Sequence, residues 1–325
     1  MYNGLDIGVL GYGGQGKKIS NLIFKKNKKK FFVYSRKKVL KSRKFYHTNR
    51  IEDLNKCKII FICTPNHTHF KYLNYFKKKA NYIFCEKPPC NNIYEYRKLK
   101  KFSRKYKKKI YFNFNYTFSE YYKVLKKKYL TKKTGKLIDI SISAGNGISF
   151  KTNLLKNWRS NSKNIFSGII GNLGIHYLNL LRDLLGNIKV NQIELKKVGK
   201  FKIPDTVIIS VTNNKKISGR ILLTYASPFH QNIKVIFSNS VIEVDNERII
   251  EFSPRETYDK NYQYIKPKQQ IIYNKKSSSI WSHTLDRSVE FFLKTVSKKK
   301  EFSFQKFNSN LEDANMILKK LMCKN

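Results

Sequence analysis

Over the first third of the chain, short apolar runs alternate with longer segments in which apolar residues recur every three or four positions. Leu5–Leu10, Phe31–Tyr34, Lys58–Cys63, Tyr82–Cys85 and Ile110–Phe114 have the length of buried strands. Gly14–Lys26, His67–Lys79 and Ile93–Lys107 have the spacing of amphipathic helices. Strands that alternate with helices in this way predict a parallel, doubly wound sheet with helices on both faces.

Past about Tyr116 the pattern changes. One long helical stretch remains, Gly168–Leu185. Strand-like runs then follow one another without helices: Val190–Val198, Thr206–Thr212, Ile217–Tyr225, Ile233–Phe237, Val241–Val244 and Ile249–Phe252. Short turns such as "TNNKK" between them predict an antiparallel sheet. Two helices, near Ile280–Val296 and Leu311–Leu321, come last. The expected fold is α/β, with a doubly wound domain over 1–117 and an α+β domain with an open, mostly antiparallel sheet over 118–325. No internal repeat or long low-complexity linker interrupts the 325 residues.

Composition changes this picture mainly through charge. The chain holds 67 Lys and Arg against 21 Asp and Glu, a formal +46. A charge of that size suggests nucleic acid, an anionic membrane or an acidic substrate. The residue types argue otherwise. Lysine greatly outnumbers arginine, whose planar fork serves nucleic-acid recognition better. Asn, Ile, Phe and Tyr are also abundant, and all five have codons rich in A and T, so drift in an AT-rich genome enriches them together. "KKNKKK" (Lys25–Lys30), "KKK" (Lys77–Lys79), "KYKKK" (Lys105–Lys109) and "KKK" (Lys298–Lys300) each close an expected helix, where cations complement the helix dipole. The expectation is no specific nucleic-acid partner. No signal peptide precedes the first strand, and no apolar run reaches the ~18 residues that span a bilayer, so no membrane partner is expected. Cys57, Cys63, Cys85, Cys90 and Cys323 form no C-x-x-C pair. Their odd number fits a reducing, cytoplasmic setting.

The first strand runs into "GVLGYGGQGKK" (Gly8–Lys18), where Gly11, Gly13 and Gly16 make G-x-G-x-x-G around Gly14 and Gln15. The first glycine permits a tight turn and the second lets backbone approach a pyrophosphate. The third lets helix pack on strand, and the helix N-terminus faces the anion. This placement, between a strand and a helix, predicts a dinucleotide-binding Rossmann unit. An acid about twenty residues further on would suit the ribose of NAD. The second strand instead ends in "YSRKK", where Ser35, Arg36 and Lys37 suit a 2′-phosphate. NADP is therefore preferred, with NAD as the alternative.

Three further stretches complete a pattern: "FICTPNHTH" (Phe61–His69), "CEKPP" (Cys85–Pro89) and "GIIGNLGIHYLNLLRDLLG" (Gly168–Gly186). With the glycine turn, the sequence resembles the Gfo/Idh/MocA family of NAD(P)-dependent oxidoreductases over essentially its whole length. Members include glucose–fructose oxidoreductase, inositol dehydrogenases and nucleotide-sugar dehydrogenases. The resemblance implies that Glu86 contacts the nicotinamide-side ribose and that Thr64, Pro65 and Asn66 border the cofactor. Asn115 would lie near the nicotinamide, with Trp158 and Arg159 near the cleft. Lys87 would hydrogen-bond the reacting hydroxyl or carbonyl, and His176 would move the proton. It also implies a homo-oligomer, dimer or tetramer, built through the open sheet.

Elementary chemistry agrees with those roles. Oxidising an alcohol removes an O–H proton while hydride leaves carbon, and a histidine with its ordinary pKa near 6.5 suits that transfer. The family usually has Asp four residues before this histidine, whereas this chain has Asn172, and Asn179 stands where Asp often follows. Asparagine keeps a hydrogen-bonding carbonyl but holds no negative charge, so Asn172 bears directly on whether the site turns over. His67 and His69 lack an accompanying Cys, Asp or Glu cluster, and no metal is expected. The reading is an enzyme that transfers hydride between a nicotinamide cofactor and a secondary alcohol or ketone of a sugar, inositol or nucleotide sugar. The alternatives are a non-catalytic, cofactor-binding regulatory protein, or a relative that uses bound NAD for redox-assisted glycoside hydrolysis.

Overall fold

The computed structural model describes residues 6–36, 41–130, 134–155, 165–245, 248–253, 257–274 and 279–322. The chain forms two units: Met1–Asn115 with Leu285–Lys319, and Tyr116–Thr284 with Lys320–Asn325.

The first unit is built on six parallel strands: β1 (Ile7–Leu10), β2 (Phe31–Tyr34), β3 (Phe45–Thr48), β4 (Ile59–Ile62), β5 (Tyr82–Cys85) and β6 (Ile110–Phe112), ordered β3-β2-β1-β4-β5-β6. Every residue of β1 and β4 is buried, as expected of central strands covered on both faces. The order reverses between β1 and β4, which opens a crevice beyond their carboxyl ends. β3 is absent from the sequence reading because it is a short edge strand of mixed polarity, with only Phe45 buried. The expected helix Ile93–Lys107 is two, Ile93–Lys100 and Arg104–Lys107, because Ser103 takes an extended conformation between them. The expected helix start at His67 is a short 3₁₀ turn, Asn66–Thr68, and the α-helix is His69–Phe76.

The last two helices are Thr284–Ser297 and Phe304–Met322. The sequence reading assigns them to the second domain, but Leu285–Lys319 joins the first unit. The reason is apolar. Val289, Phe292, Val296 and Phe302 belong to the same buried cluster as Ile7, Val9, Phe61 and Phe84. The ring of Phe292 lies 5.1 Å from Phe61 and 5.3 Å from Phe84.

The second unit carries an eight-stranded sheet: β7 (Leu137–Gly145), β8 (Ile188–Lys196), β9 (Thr206–Asn213), β10 (Ser218–Thr224), β11 (His230–Phe237), β12 (Val241–Val244), β13 (Arg248–Ser253) and β14 (Lys268–Asn274). The order is β14-β13-β12-β11-β7-β10-β9-β8, antiparallel throughout except for β7 beside β10. Alternate residues such as Ile140, Ile142, Val207, Ile209, Ile221 and Leu223 are buried. Helix Ile175–Leu185 covers that face so closely that a Cβ on Gly219 would meet Leu181 at 3.1 Å. Three elements escape the sequence reading. Helix Glu120–Tyr129 is dense in lysine, β7 alternates serines with its apolar residues, and β14 is largely exposed. The expected helix Gly168–Leu185 also begins differently. Ile170–Gly174 is a π-helical turn, in which a Cβ on Gly171 would sit 2.0 Å from the carbonyl of Phe166.

Candidate cofactor and active site

At the end of β1, Gly11 adopts φ +91°, and its N–H donates to Tyr34 O at 2.9 Å. A Cβ on Gly16 would lie 2.0 Å from the Gly11 carbonyl oxygen, so only glycine lets the helix start so close to the strand end. Gly13 and Gly14 differ, since nothing lies within 4 Å of a Cβ built on either. Helix Gly14–Asn27 has no side-chain cap and no acid in its first turn. Its first N–H groups therefore face open space with the positive end of the helix dipole behind them, an arrangement that fits a pyrophosphate.

Gln15 turns away from that space. Its Nε2 donates at 3.0 Å to Glu86 Oε1, which also accepts from Asn113 Nδ2 at 2.8 Å. Ser288 Oγ donates to Asn113 Oδ1 at 2.6 Å and pairs with the Tyr111 hydroxyl at 2.7 Å. Glu86 is 7% exposed, and burial raises its carboxyl above the ordinary value, opposed by bonds from Asn113 and Gln15 and by the Lys87 charge. Glu86 is thus held in place by the glycine turn on one side and by β6 and its neighbouring helix on the other. Asn113 and Ser288 were missed in the sequence. Asn113 stands two residues before Asn115, in "FNFNY" (Phe112–Tyr116), whereas Ser288 carries no signal at all.

Thr64, Pro65 and Asn66 lie beyond β4, next to the glycine turn across the reversal in strand order. Thr68 Oγ1 ties this loop by donating to Thr64 Oγ1 at 2.6 Å, with Pro65 O at 2.7 Å. His69, fully buried, spans from it to the next loop: Nε2 is 2.9 Å from Thr64 O and Nδ1 is 2.8 Å from Pro88 O. Burial pushes its imidazole down to about 4, against the pull of those carbonyls. Lys87, half-buried, immediately precedes Pro88 across a cis peptide bond. No cluster of three or more His, Cys, Asp or Glu positioned to hold a metal occurs among the described residues.

At the end of β2, Ser35 is half-buried and Arg36 exposed; Lys37 lies outside the described residues. Ser35 N–H donates to Thr48 O at 3.0 Å, and His47 Nε2 lies 3.3 Å from Ser35 O. The neighbouring acid, Asp53, accepts the Thr48 hydroxyl. Asn115, half-buried, opens a 3₁₀ turn through Phe118 and is the last residue of the first unit's leading segment.

In the second unit, His176 is 5% exposed on helix Ile175–Leu185. Its ring stacks on Tyr116, with centroids 4.2 Å apart and planes inclined by 12°. Asn172, in the π-helical turn, donates through Nδ2 to the Tyr225 hydroxyl at 2.8 Å. Tyr225, just past β10, carries no motif that marks it, and Tyr116 is marked only by following Asn115. Asn179 is buried. Trp158 and Arg159 lie outside the described residues. The structure gathers Gly11, Gly13, Gly14, Gln15, Gly16 and Glu86 around one turn, with Thr64, Pro65 and Asn66 beside it, and it places Asn172 and His176 on one helical segment of the other unit.

No helix among the described residues is long and apolar enough to cross a membrane. Lysines and arginines occupy the last turns of helices Gly14–Asn27, Ile93–Lys100, Arg104–Lys107 and Glu120–Tyr129.

The model of an oxidoreductase family with an NAD-binding Rossmann fold, GFO_IDH_MocA, matches residues 5–114, and the C-terminal domain model of the same family matches residues 122–243. No curated protein sequence matches the chain. Among solved structures, the chain is similar to a myo-inositol dehydrogenase from Corynebacterium glutamicum at 17% identity and TM-score 0.72, covering 99% of this chain and 97% of that one. It is similar to the UDP-N-acetylglucosamine 3-dehydrogenase GnnA from Acidithiobacillus ferrooxidans at 14% and 0.73, covering 97% and 96%. KijD10, a 3-ketoreductase from Actinomadura kijaniata solved with NADP and TDP-benzene, aligns at 11% and 0.77, again covering 97% and 96%. At these identities the likeness is one of fold.

Proposed function

Because the chain belongs to the Gfo/Idh/MocA family of oxidoreductases, we propose that it is an NADP-preferring enzyme acting on a secondary alcohol or ketone of a sugar, inositol or nucleotide sugar. The observation that carries this reading is the glycine turn. It offers open space and unblocked N–H donors where a pyrophosphate would lie, and it is joined through Gln15 to the buried Glu86 beside Lys87. The same class of substrate appears in the names of two structural neighbours, an inositol dehydrogenase and a nucleotide-sugar dehydrogenase.

When bound, the nicotinamide accepts or returns the hydride. Gly11, Gly13, Gly14 and Gly16 would admit its pyrophosphate, Thr64, Pro65 and Asn66 would border it, and Glu86 would meet a ribose. Ser35 and Arg36 would take the 2′-phosphate. Lys87 would hydrogen-bond the reacting oxygen and stabilise charge on it. His176 would take the hydroxyl proton during oxidation and return it during reduction. Asn172, held by Tyr225, would offer its carbonyl oxygen and no charge. The buried thiols of Cys57, Cys63, Cys85 and Cys90, none of them in a disulfide, support a cytoplasmic location. The open face of the eight-stranded sheet, with Ile138 and Leu222 exposed, supports a dimer or tetramer.

The test is a titration of the purified protein with NADPH and NADH by fluorescence, followed by turnover on a panel of sugars, inositols and nucleotide sugars. Tight NADPH binding with hydride transfer to or from one panel member is the expected result. Cofactor binding without turnover on any of them would favour the regulatory alternative.

A further inference from the structure

The imidazole of His176 is the outer layer of a three-ring stack. Tyr116 lies 4.2 Å from it at 12°, and Trp281 lies 4.1 Å from Tyr116 at 3°. Two rings parallel to a third at such spacings have room only on its opposite faces, so Tyr116 is sandwiched. Tyr177, the neighbour of His176 on the helix, locks the assembly from the side. It meets Tyr116 edge-on at 5.5 Å and Trp281 edge-on at 5.5 Å, and its hydroxyl accepts the Trp281 Nε1–H at 2.9 Å. Tyr177 and Trp281 are both buried. Edge-on and offset-parallel contacts are the arrangements that the ring quadrupoles favour, so the four rings hold one another in a single geometry.

The two supporting rings, Tyr116 and Trp281, come from telling places in the chain. Tyr116 is the first residue of the second unit, directly after Asn115, and Trp281 lies just before the chain returns to the first unit at Leu285. Both passages between units are therefore fastened to the same stack. Nothing in the chemistry of a proton carrier requires this. It does require that the imidazole plane be fixed, because a buried ring left to turn about χ2 would aim its nitrogens in many directions.

Taking His176 as the proton carrier of the function proposed above, we propose that Tyr116 and Trp281 are its positioning residues: Tyr116 covers one face of the imidazole and Trp281 backs Tyr116 from its far side, which fixes the imidazole plane so that its edge meets the reacting oxygen. Neither ring touches substrate in this scheme. They act by orientation, for which a displacement of about 1 Å costs on the order of 100-fold in rate.

The experiment uses the full chain with labelled histidine. The ring protons of His176, assigned by their loss in His176→Ala, are followed by NMR in the wild type, Tyr116→Phe and Tyr116→Leu. Ring currents from the stack should displace these protons upfield in the wild type and in Tyr116→Phe. They should return toward the position of an unstacked histidine in Tyr116→Leu. Turnover should fall about 10- to 100-fold in Tyr116→Leu, with cofactor affinity retained, and should be restored by Tyr116→Phe. If Tyr116→Leu does not fold, Trp281→Leu releases the stack from its far side and should give the same shift in smaller measure. Unchanged His176 resonances in the variant that folds, or equal loss of turnover in Tyr116→Phe and Tyr116→Leu, would overturn the proposal. The resonances report on the stack whether or not the protein turns over a sugar. An inert wild type would therefore count against the proposed function, while the shift still upholds or overturns the positioning role.

Discussion

Asn172 gives a hydrogen bond to Tyr225: its amide Nδ2 lies 2.8 Å from the phenolic oxygen, four positions before His176. The phenol accepts in this pair, so its own proton points elsewhere. A carboxylate at 172 would reverse the bond and accept that proton, and it would place a negative charge near the imidazole.

Asn172→Asp should therefore raise turnover or shift its pH profile, because a nearby carboxylate favours the protonated imidazole. Rate measured against pH on an identified substrate is the check. Coincident profiles for the two proteins would place residue 172 outside the proton path.

Lys87→Met keeps much of the side-chain length and removes the charge, and His176→Ala removes the proton carrier. Each should lower turnover on the order of 10²- to 10⁴-fold. Cofactor dissociation constants should change far less, since the open space for pyrophosphate is formed by Gly13 and Gly14. If both groups act on the same hydroxyl, the double variant should be little worse than the poorer single one. Full activity in either single variant would remove that residue from the mechanism.

Ser35→Asp should turn cofactor preference toward NADH. The new carboxylate would repel a 2′-phosphate and accept bonds from ribose hydroxyls. Titrating both cofactors against both proteins gives the answer, and unchanged ratios would mean that the phosphate pocket lies elsewhere.

His69 should make the protein acid-sensitive. An unfolded chain protonates this histidine below its ordinary value near 6.5, whereas the folded chain resists protonation down to about 4. Between those values the unfolded state binds the extra proton, so falling pH favours unfolding. The contribution is complete above about pH 6.5 and is lost toward pH 4, by roughly 3 kcal/mol in all. Melting temperatures across that window should fall for the wild type and fall less steeply for His69→Gln. Parallel curves would assign the acid sensitivity to other groups.

How much of this was legible in the sequence depends on how local the signal is. The glycine turn declared itself because Gly11 and Gly16 answer a constraint that acts over five residues. β2 and β5 were legible to the residue, since unbroken apolar runs leave little choice of boundary, and β12 was legible between Ser240 and Asp245. β7 was not, because Ser141 and Ser143 dilute its alternation, and its partners β10 and β11 arrive more than seventy positions later. The same distance hides Ser288 from Glu86 and Trp281 from His176. Such residues matter only through what the fold brings beside them, and neither their spacing nor their type sets them apart in a chain rich in serine and aromatic residues. The π-helical turn at Ile170–Gly174 was also invisible, since it depends on Gly171 meeting the backbone of Phe166.

The completion of the first core by Val289, Phe292, Val296 and Phe302 sets an order of events during synthesis. A ribosome makes β1 to β6 first, then Tyr116–Thr284 of the second unit, and only afterwards the segment Leu285–Lys319. Throughout that interval the sheet side of Phe61 and Phe84 lacks its cover. The nascent chain therefore presents an apolar aromatic surface of the kind that chaperones bind and that aggregates when left unattended. The cofactor-binding half of this protein, although first to be translated, is last to be finished.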